Sequence, residues 1–294
     1  MRSAGRPGVS QPERRPRVVA TDLDGTLVRS DGSVSPRSRE ALAAAERAGI
    51  AVIFVTARPP RWLDELTGLV ASHGLAICAN GAIRYDVAAR RVLSTTPLAA
   101  ETVVAVAGAL RTGLPGTVFA AESEAGFVKE PDYLERHPLR REPPTGRIET
   151  LLDPLPAKLL ARNEAYGPEE YVELATGLVG HLVEIHVSGA TGLLEMSAKG
   201  VTKASALRAW CDSNGIGSAD VWAAGDMPND LPMLAWAGRA FAVANAHADV
   251  QSMADSVCAG NDDDGVAQVL ELALSLSADP GRVPVDRTAP TTRK

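Results

Sequence analysis

Cysteine is scarce in this chain of 294 residues: Cys78, Cys211 and Cys258 stand far apart, and no C-x-x-C pair occurs. That excludes a disulfide-stapled scaffold or a thiolate zinc site and points to a reducing, cytoplasmic setting. The three thiols are read as small buried apolar groups. Histidine is almost as sparse, with His73, His137, His181, His186 and His247 and no H-x-x-x-H pair. An imidazole zinc centre is therefore not expected, and all five are assigned structural or surface roles. No apolar run is long enough to cross a bilayer, so no membrane partner is expected. The chain also lacks an excess of positive charge. A formal charge of −6 argues against nucleic acid as a partner. The N-terminal stretch is basic and rich in Pro and Gly, without the apolar core of a secretory signal. Residues 1–16 and 277–294 are read as flexible arms.

What is present is an ordered alternation. Val18-Val19-Ala20 reads as a buried strand, and Ser35-Pro36 opens a helix that ends before Gly49. Residues 51–55 form a second strand, Pro59 or Pro60 opens a helix carrying Trp62, Leu66, Leu69 and Val70, and residues 75–79 form a third strand. Such βαβαβ order implies a parallel sheet with right-handed crossovers. The pattern then changes to paired strands at 83–86 with 92–95, and at 117–122 with 126–130, around a helix over 98–111. Residues 131–155 read as a long irregular excursion. A strand over 157–162, a helix over 168–178 and strands over 182–188 and 193–196 follow. Alternation resumes at Thr202 and runs to Leu276. The fold class is α/β: a doubly wound parallel sheet over 17–82 and 195–276, with an α+β domain inserted over 83–194.

Each strand of the split domain ends in polar residues. The first gives Asp22 and Asp24, in Asp22-Leu23-Asp24-Gly25-Thr26-Leu27; the second gives Thr56 and Arg58; the third gives Asn80 and Gly81. Lys203 starts a helix, and a later strand leads into Gly225-Asp226-Met227-Pro228-Asn229-Asp230. In an open α/β sheet these positions gather on one rim. Clustered carboxylates repel unless a cation or a shared proton lies between them, and hard oxygen ligands suit Mg²⁺. The chemistry this set supports is phosphoryl transfer through a covalent carboxylate. One aspartate attacks phosphorus, its neighbour handles the proton of the leaving alcohol and then of water, and Lys203 and Thr56 meet phosphate charge.

Taken together, DLDGTL, VTAR, ANGA, GVTKASAL and GDMPNDLPML resemble the ordered motifs of the haloacid dehalogenase superfamily, nearest the Cof-type, class IIB phosphatases. The resemblance spans residues 17–276 and implies a Rossmann-like core with an inserted cap. It implies Asp22 as nucleophile, Asp24 as general acid/base and Lys203 as the cation that steadies both nucleophile and phosphate. The phosphate and substrate shell would comprise Leu23, Thr56, Ala57, Arg58, Asn80, Lys203 and Asn229. Mg²⁺ would be held by Asp22, Asp226, the backbone carbonyl of Asp24 and the supporting Asp230. Lys199 is a nearby rival to Lys203. Where the family often has Thr-Gly-Arg, this chain has Thr56-Ala57-Arg58. The expected activity is hydrolysis of a small phosphorylated metabolite, a sugar phosphate first, by a monomer or weak homodimer. A phosphomutase of the same fold, and a phospho-acceptor signalling or binding protein without turnover, are the alternatives. Within the insertion, selectivity would lie around residues 122–150 and the segments facing the rim, with Glu130, Tyr133, Arg136, Arg140 and Arg141 as candidates to meet a ligand.

Overall fold

The computed structural model describes residues 14–63, 74–139, 141–187 and 192–278. Two sheets organise it. The first is built on β1 (Val18–Thr21), β2 (Ala51–Val55), β3 (Leu75–Cys78), β11 (Val221–Gly225), β12 (Arg239–Val243) and β13 (Ser256–Cys258). These run parallel in the order β13-β12-β11-β1-β2-β3. The chain leaves β1 toward β2 and returns on its other side at β11. The reversal of strand order thus falls at β1/β11, where open α/β sheets bind ligands.

Near-unbroken apolar strands are covered on both faces, as parallel strands must be. Alternate residues of β1 and β2 divide between two cores. Val19, Val52 and Phe54 pack with α1 (Pro36–Arg47) and α7 (Gly265–Ser275). Val18, Ala20 and Ile53 pack with α4 (Lys203–Ser213), α5 (Leu231–Trp236) and α6 (Ala248–Met253). Helix α1 begins as its sequence dictates: Pro36 follows Ser35, whose hydroxyl accepts from Ser38 N–H at 2.9 Å.

The second sheet comprises β6 (Val118–Ser123), β7 (Gly126–Lys129), β8 (Lys158–Arg162), β9 (Val183–His186) and β10 (Leu193–Ala198), antiparallel in the order β7-β6-β8-β10-β9. Helices α2 (Ala100–Gly113) and α3 (Pro168–Val179) cover one face through Val106, Leu110, Tyr171 and Val179, against Phe119, Leu159 and Met196. The opposite face carries a smaller cluster of Ala120, Phe127, Tyr133 and Leu160, and turns toward the carboxyl rim of the first sheet.

The structure moves both ends of the expected insertion. The hairpin of β4 (Ile83–Asp86) and β5 (Arg91–Thr95) belongs to the first sheet, where β4 pairs antiparallel with β3 and extends it to eight strands. Its alternating burial reveals a hairpin but not which sheet edge it joins, because that choice is made by the unpaired edge of β3. At the other end, β10 runs on to Ala198 within the second sheet, past the expected limit of 194. The helix expected after Pro60 is described only as a 3₁₀ turn, Pro60–Trp62; Leu66, Leu69, Val70 and His73 lie outside the described residues. So do Arg140 and nearly all of the two expected arms.

Candidate active site

Asp22 follows β1 directly, its N–H donating to Ala224 O at 3.0 Å, and is 5 % exposed. Strand β11 delivers Asp226 beside it, with the Asp226 carboxylate accepting from the Thr26 hydroxyl at 2.8 Å. Gly25 makes the approach possible. At φ +74° it occupies a conformation that favours glycine, and a Cβ there would lie 2.4 Å from Asp226 Oδ2. Lys203 enters from the start of α4, capped by the Thr202–Ser205 capping box. Its ammonium donates to Asp22 Oδ1 at 2.8 Å and Asp230 Oδ1 at 2.7 Å, at 2 % exposure. Asp230 is fully buried, and its second oxygen accepts from the N–H groups of Asp226 and Met227, each at 3.1 Å. Asp230 therefore ties the β11 loop to Lys203.

Three carboxylates thus face one ammonium. Ligand oxygens of Asp22, Asp226 and Asp230 lie within 4.8 Å of one another. Burial, reinforced by Asp230 and Asp226 against the pull of Lys203, pushes the Asp22 carboxyl well up. Burial, then repulsion from Asp230, lifts Asp226 to about 6. Burial alone would lower Lys203, but Asp22 and Asp230 hold it above its ordinary value, so it stays charged. An all-oxygen set carrying surplus negative charge is what a hard divalent cation requires.

The carboxylate of Asp24 does not join this cluster. It is 58 % exposed and receives the Arg58 guanidinium at 2.7 Å through Nε and 2.5 Å through Nη2. The two side chains part because the strand ends at Thr21 and Asp24 lies beyond it, in an isolated bridge to Val28. Only its main chain remains for the expected metal contact. Leu23 is fully buried in the core, so it too can offer only main chain. Thr56 is 1 % exposed, and its hydroxyl accepts from Arg58 N–H at 3.0 Å. Asn80 tolerates φ +54° and is fully buried, donating to Glu195 Oε2 at 2.7 Å and accepting from Asn229 Nδ2 at 3.2 Å. Lys199, the rival cation, donates instead to Gly180 O at 2.8 Å and pairs with Glu184.

A cavity of about 480 Å³ joins these groups to the second sheet, with Asp22, Asp24, Thr56, Ala57, Arg58, Lys203 and Asn229 on one wall and Tyr133, Lys158, Arg162 and Glu195 on the other. The two walls are linked directly. Lys158 Nζ donates to Ala57 O at 2.8 Å, and Arg61 Nη2 donates to Glu122 Oε1 at 2.6 Å. Lys158, Arg162, Glu195 and Arg61 are not singled out by the sequence, whereas Glu122 opens the stretch expected to set selectivity. A signal existed: Lys158-Leu159-Leu160-Ala161-Arg162 alternates along a strand, with charges on one face only. Of the loop candidates, Tyr133 and Arg136 line the cavity. Glu130 does not: its carboxylate is spent on the N–H groups of Phe119 and Ile148 and on Arg111. Arg141 donates to Ala125 O.

Comparison with known proteins bears on the family and the fold. A sequence model of haloacid dehalogenase-like hydrolases matches residues 19–270. The pyridoxal phosphate phosphatase YbhA of Escherichia coli (strain K12) is 26 % identical over 270 residues, covering 86 % of this chain and 97 % of that protein. Among solved structures, the phosphatase BT1666 from Bacteroides thetaiotaomicron superposes with TM-score 0.76 at 24 % identity, covering 92 % of this chain and 99 % of the other. The subclass IIB sugar phosphatase BT4131 gives TM-score 0.70 at 22 % identity, covering 87 % and 98 %. With the fold, the rim of carboxylates and the sequence match in agreement, the chain belongs to the haloacid dehalogenase-like hydrolase family.

Proposed function

We propose that this hydrolase is a Mg²⁺-dependent phosphatase of small phosphomonoesters, sugar phosphates first among them, acting through a phosphorylated Asp22. The observation that carries the reading is the buried Asp22 carboxylate, held by Lys203 at 2.8 Å, beside Asp226 and open to the cavity. An Asp22 oxygen forms a bond to phosphorus as the bond to the leaving oxygen breaks, and Asp24 gives its proton to the departing alkoxide. Asp24 then takes a proton from water, whose oxygen displaces Asp22 from phosphorus. Arg58 pairs with the Asp24 carboxylate at the cavity edge, a pair that must open for Asp24 to carry the proton it gives. Lys203 and the Thr56 hydroxyl meet the charge on the phosphoryl oxygens.

The donor set fits Mg²⁺, which Asp22 and Asp226 would hold with the Asp24 carbonyl, while Asp230 positions the loop. When bound, the ion offsets the repulsion between carboxylate and phosphate. The second sheet with α2 and α3 serves as a lid that excludes water and selects the leaving group. The names of YbhA and BT4131 support small phosphorylated metabolites as the substrate class.

The test is release of inorganic phosphate from a panel of phosphate esters, with Mg²⁺ and with EDTA. Hydrolysis that needs Mg²⁺ is the expected result. Isomerisation of sugar phosphates without phosphate release would make the protein a mutase. No turnover of any ester would leave a binding protein.

A further inference from the structure

Arg162 lies on β8 two positions beyond Leu160 and four beyond Lys158, and all three line the cavity. It is 7 % exposed, and its Nε and Nη1 groups are buried without a hydrogen-bond partner. Each of the other five cations lining the cavity has a carboxylate within 3.3 Å. Arg162 has no such carboxylate; its guanidinium carbon lies 5.5 Å from the centre of the Tyr133 ring, itself buried. A buried guanidinium with N–H groups to spare is costly unless an acceptor, best an anion, completes it. The Arg fork matches carboxylate and phosphate oxygens in pairs.

We propose that Arg162, with Tyr133 beside it, receives a second anionic group on the substrate's leaving portion. This assignment rests on the phosphatase reading above. Lys158 touches Ala57, next to Thr56, at the phosphate end of the cavity. Four residues of strand span roughly 13 Å, so the second anion stands on the order of 10 Å from the transferred phosphoryl group. That is the reach of an extended chain of about six carbons, with a carboxylate or a second phosphate at its far end.

Three open-chain six-carbon probes test this with the full chain: a hexitol 6-phosphate with a neutral end, 6-phosphogluconate with a carboxylate end, and a hexitol 1,6-bisphosphate. One or both anionic-ended probes should show kcat/KM at least about tenfold above the neutral one, the lower end of what a charge-assisted hydrogen bond contributes. Preference for only one of the two identifies the anion. Arg162→Gln should collapse that ratio, and Arg162→Lys should restore part of it. Equal kcat/KM for all three probes, or an Arg162→Gln variant that keeps the wild-type ratio, would overturn the subsite. Calorimetric binding of the same probes to Asp22→Asn gives a readout without turnover. If no ester is hydrolysed, the phosphatase reading falls, and the subsite still stands or falls on whether the anionic-ended probes bind more tightly.

Discussion

Replacing Asp230 by Asn alters hydrogen bonding at the centre of the site with almost no change of shape. One carboxylate oxygen takes the Lys203 ammonium at 2.7 Å, and the other accepts two backbone N–H groups at 3.1 Å. An amide has one acceptor oxygen, so one of these sets must face an NH₂ group. Turning the NH₂ toward Lys203 costs less, because Lys203 keeps Asp22 at 2.8 Å and both backbone donors stay satisfied. The loss is one charge-assisted hydrogen bond, roughly 1.5–3 kcal/mol. Removing a carboxylate also relieves the repulsion that helps lift Asp226, which offsets part of that loss. A net destabilisation of about 2 kcal/mol corresponds to a Tm lower by roughly 3 °C for a chain of 294 residues. Calorimetric unfolding in EDTA isolates this term, since no bound metal then contributes to stability. Turnover should fall as well, because Lys203 loses one of its two anchors. A variant with wild-type Tm in chelator would refute the reasoning that Asp230 acts as the buried tie between Lys203 and the β11 loop.

Gly25→Ala should cost at least about tenfold in kcat/KM, because its Cβ would meet Asp226 Oδ2 at 2.4 Å from a strained φ of +74°; wild-type kinetics would contradict the close approach. Lys203→Ala should lower kcat by more than about a hundredfold, whereas Lys199→Ala should stay within about twofold, since Lys199 is held by Gly180 and Glu184. The reverse order in an assay of both variants would exchange their roles. His186 is buried beside Ser197, with Nε2 2.7 Å from its hydroxyl, and burial pushes it down to about 4. Below its ordinary pKa of about 6.5, the unfolded chain binds a proton that the folded chain does not, so stability falls as pH drops from about 6.5 toward 4. The expected loss between pH 7 and 5 is about 2 kcal/mol. Asp22 and Asp226, raised by burial, act in the opposite sense over this range, so the readout is the difference between wild type and His186→Asn in urea unfolding at pH 7 and 5; parallel pH dependences in the two would remove His186 from the acid response.

The parallel core was legible because its strands are short apolar runs ending in polar residues whose types the chemistry constrains. Asp22, Thr56 and Lys203 line one cavity, Asp226 lies beside Asp22, and Asn80 bonds Asn229 of the cavity wall. Three features were not readable locally. The β4–β5 hairpin joins the parallel sheet because β3 offers an open edge, a property of the assembled sheet. The Asp24 carboxylate lies outside the acidic cluster because the strand ends before it, and Arg58, distant in sequence, pairs with it there. The sequence directs attention for the second wall to the stretch 122–150 and the segments facing the rim. That wall's cations Lys158 and Arg162 stand instead on a strand whose other face is core, so charge in an otherwise apolar strand was the stronger signal.

Phosphoryl transfer through Asp22 requires a covalent bond from its carboxylate to phosphorus. Acid quench of the enzyme during turnover of an isotopically labelled phosphate ester, followed by peptide mapping, examines that bond directly. Acid-stable, hydroxylamine-labile label should appear on the peptide carrying Asp22 and be absent from Asp22→Asn. Label on another residue, or undiminished turnover by Asp22→Asn, would contradict it.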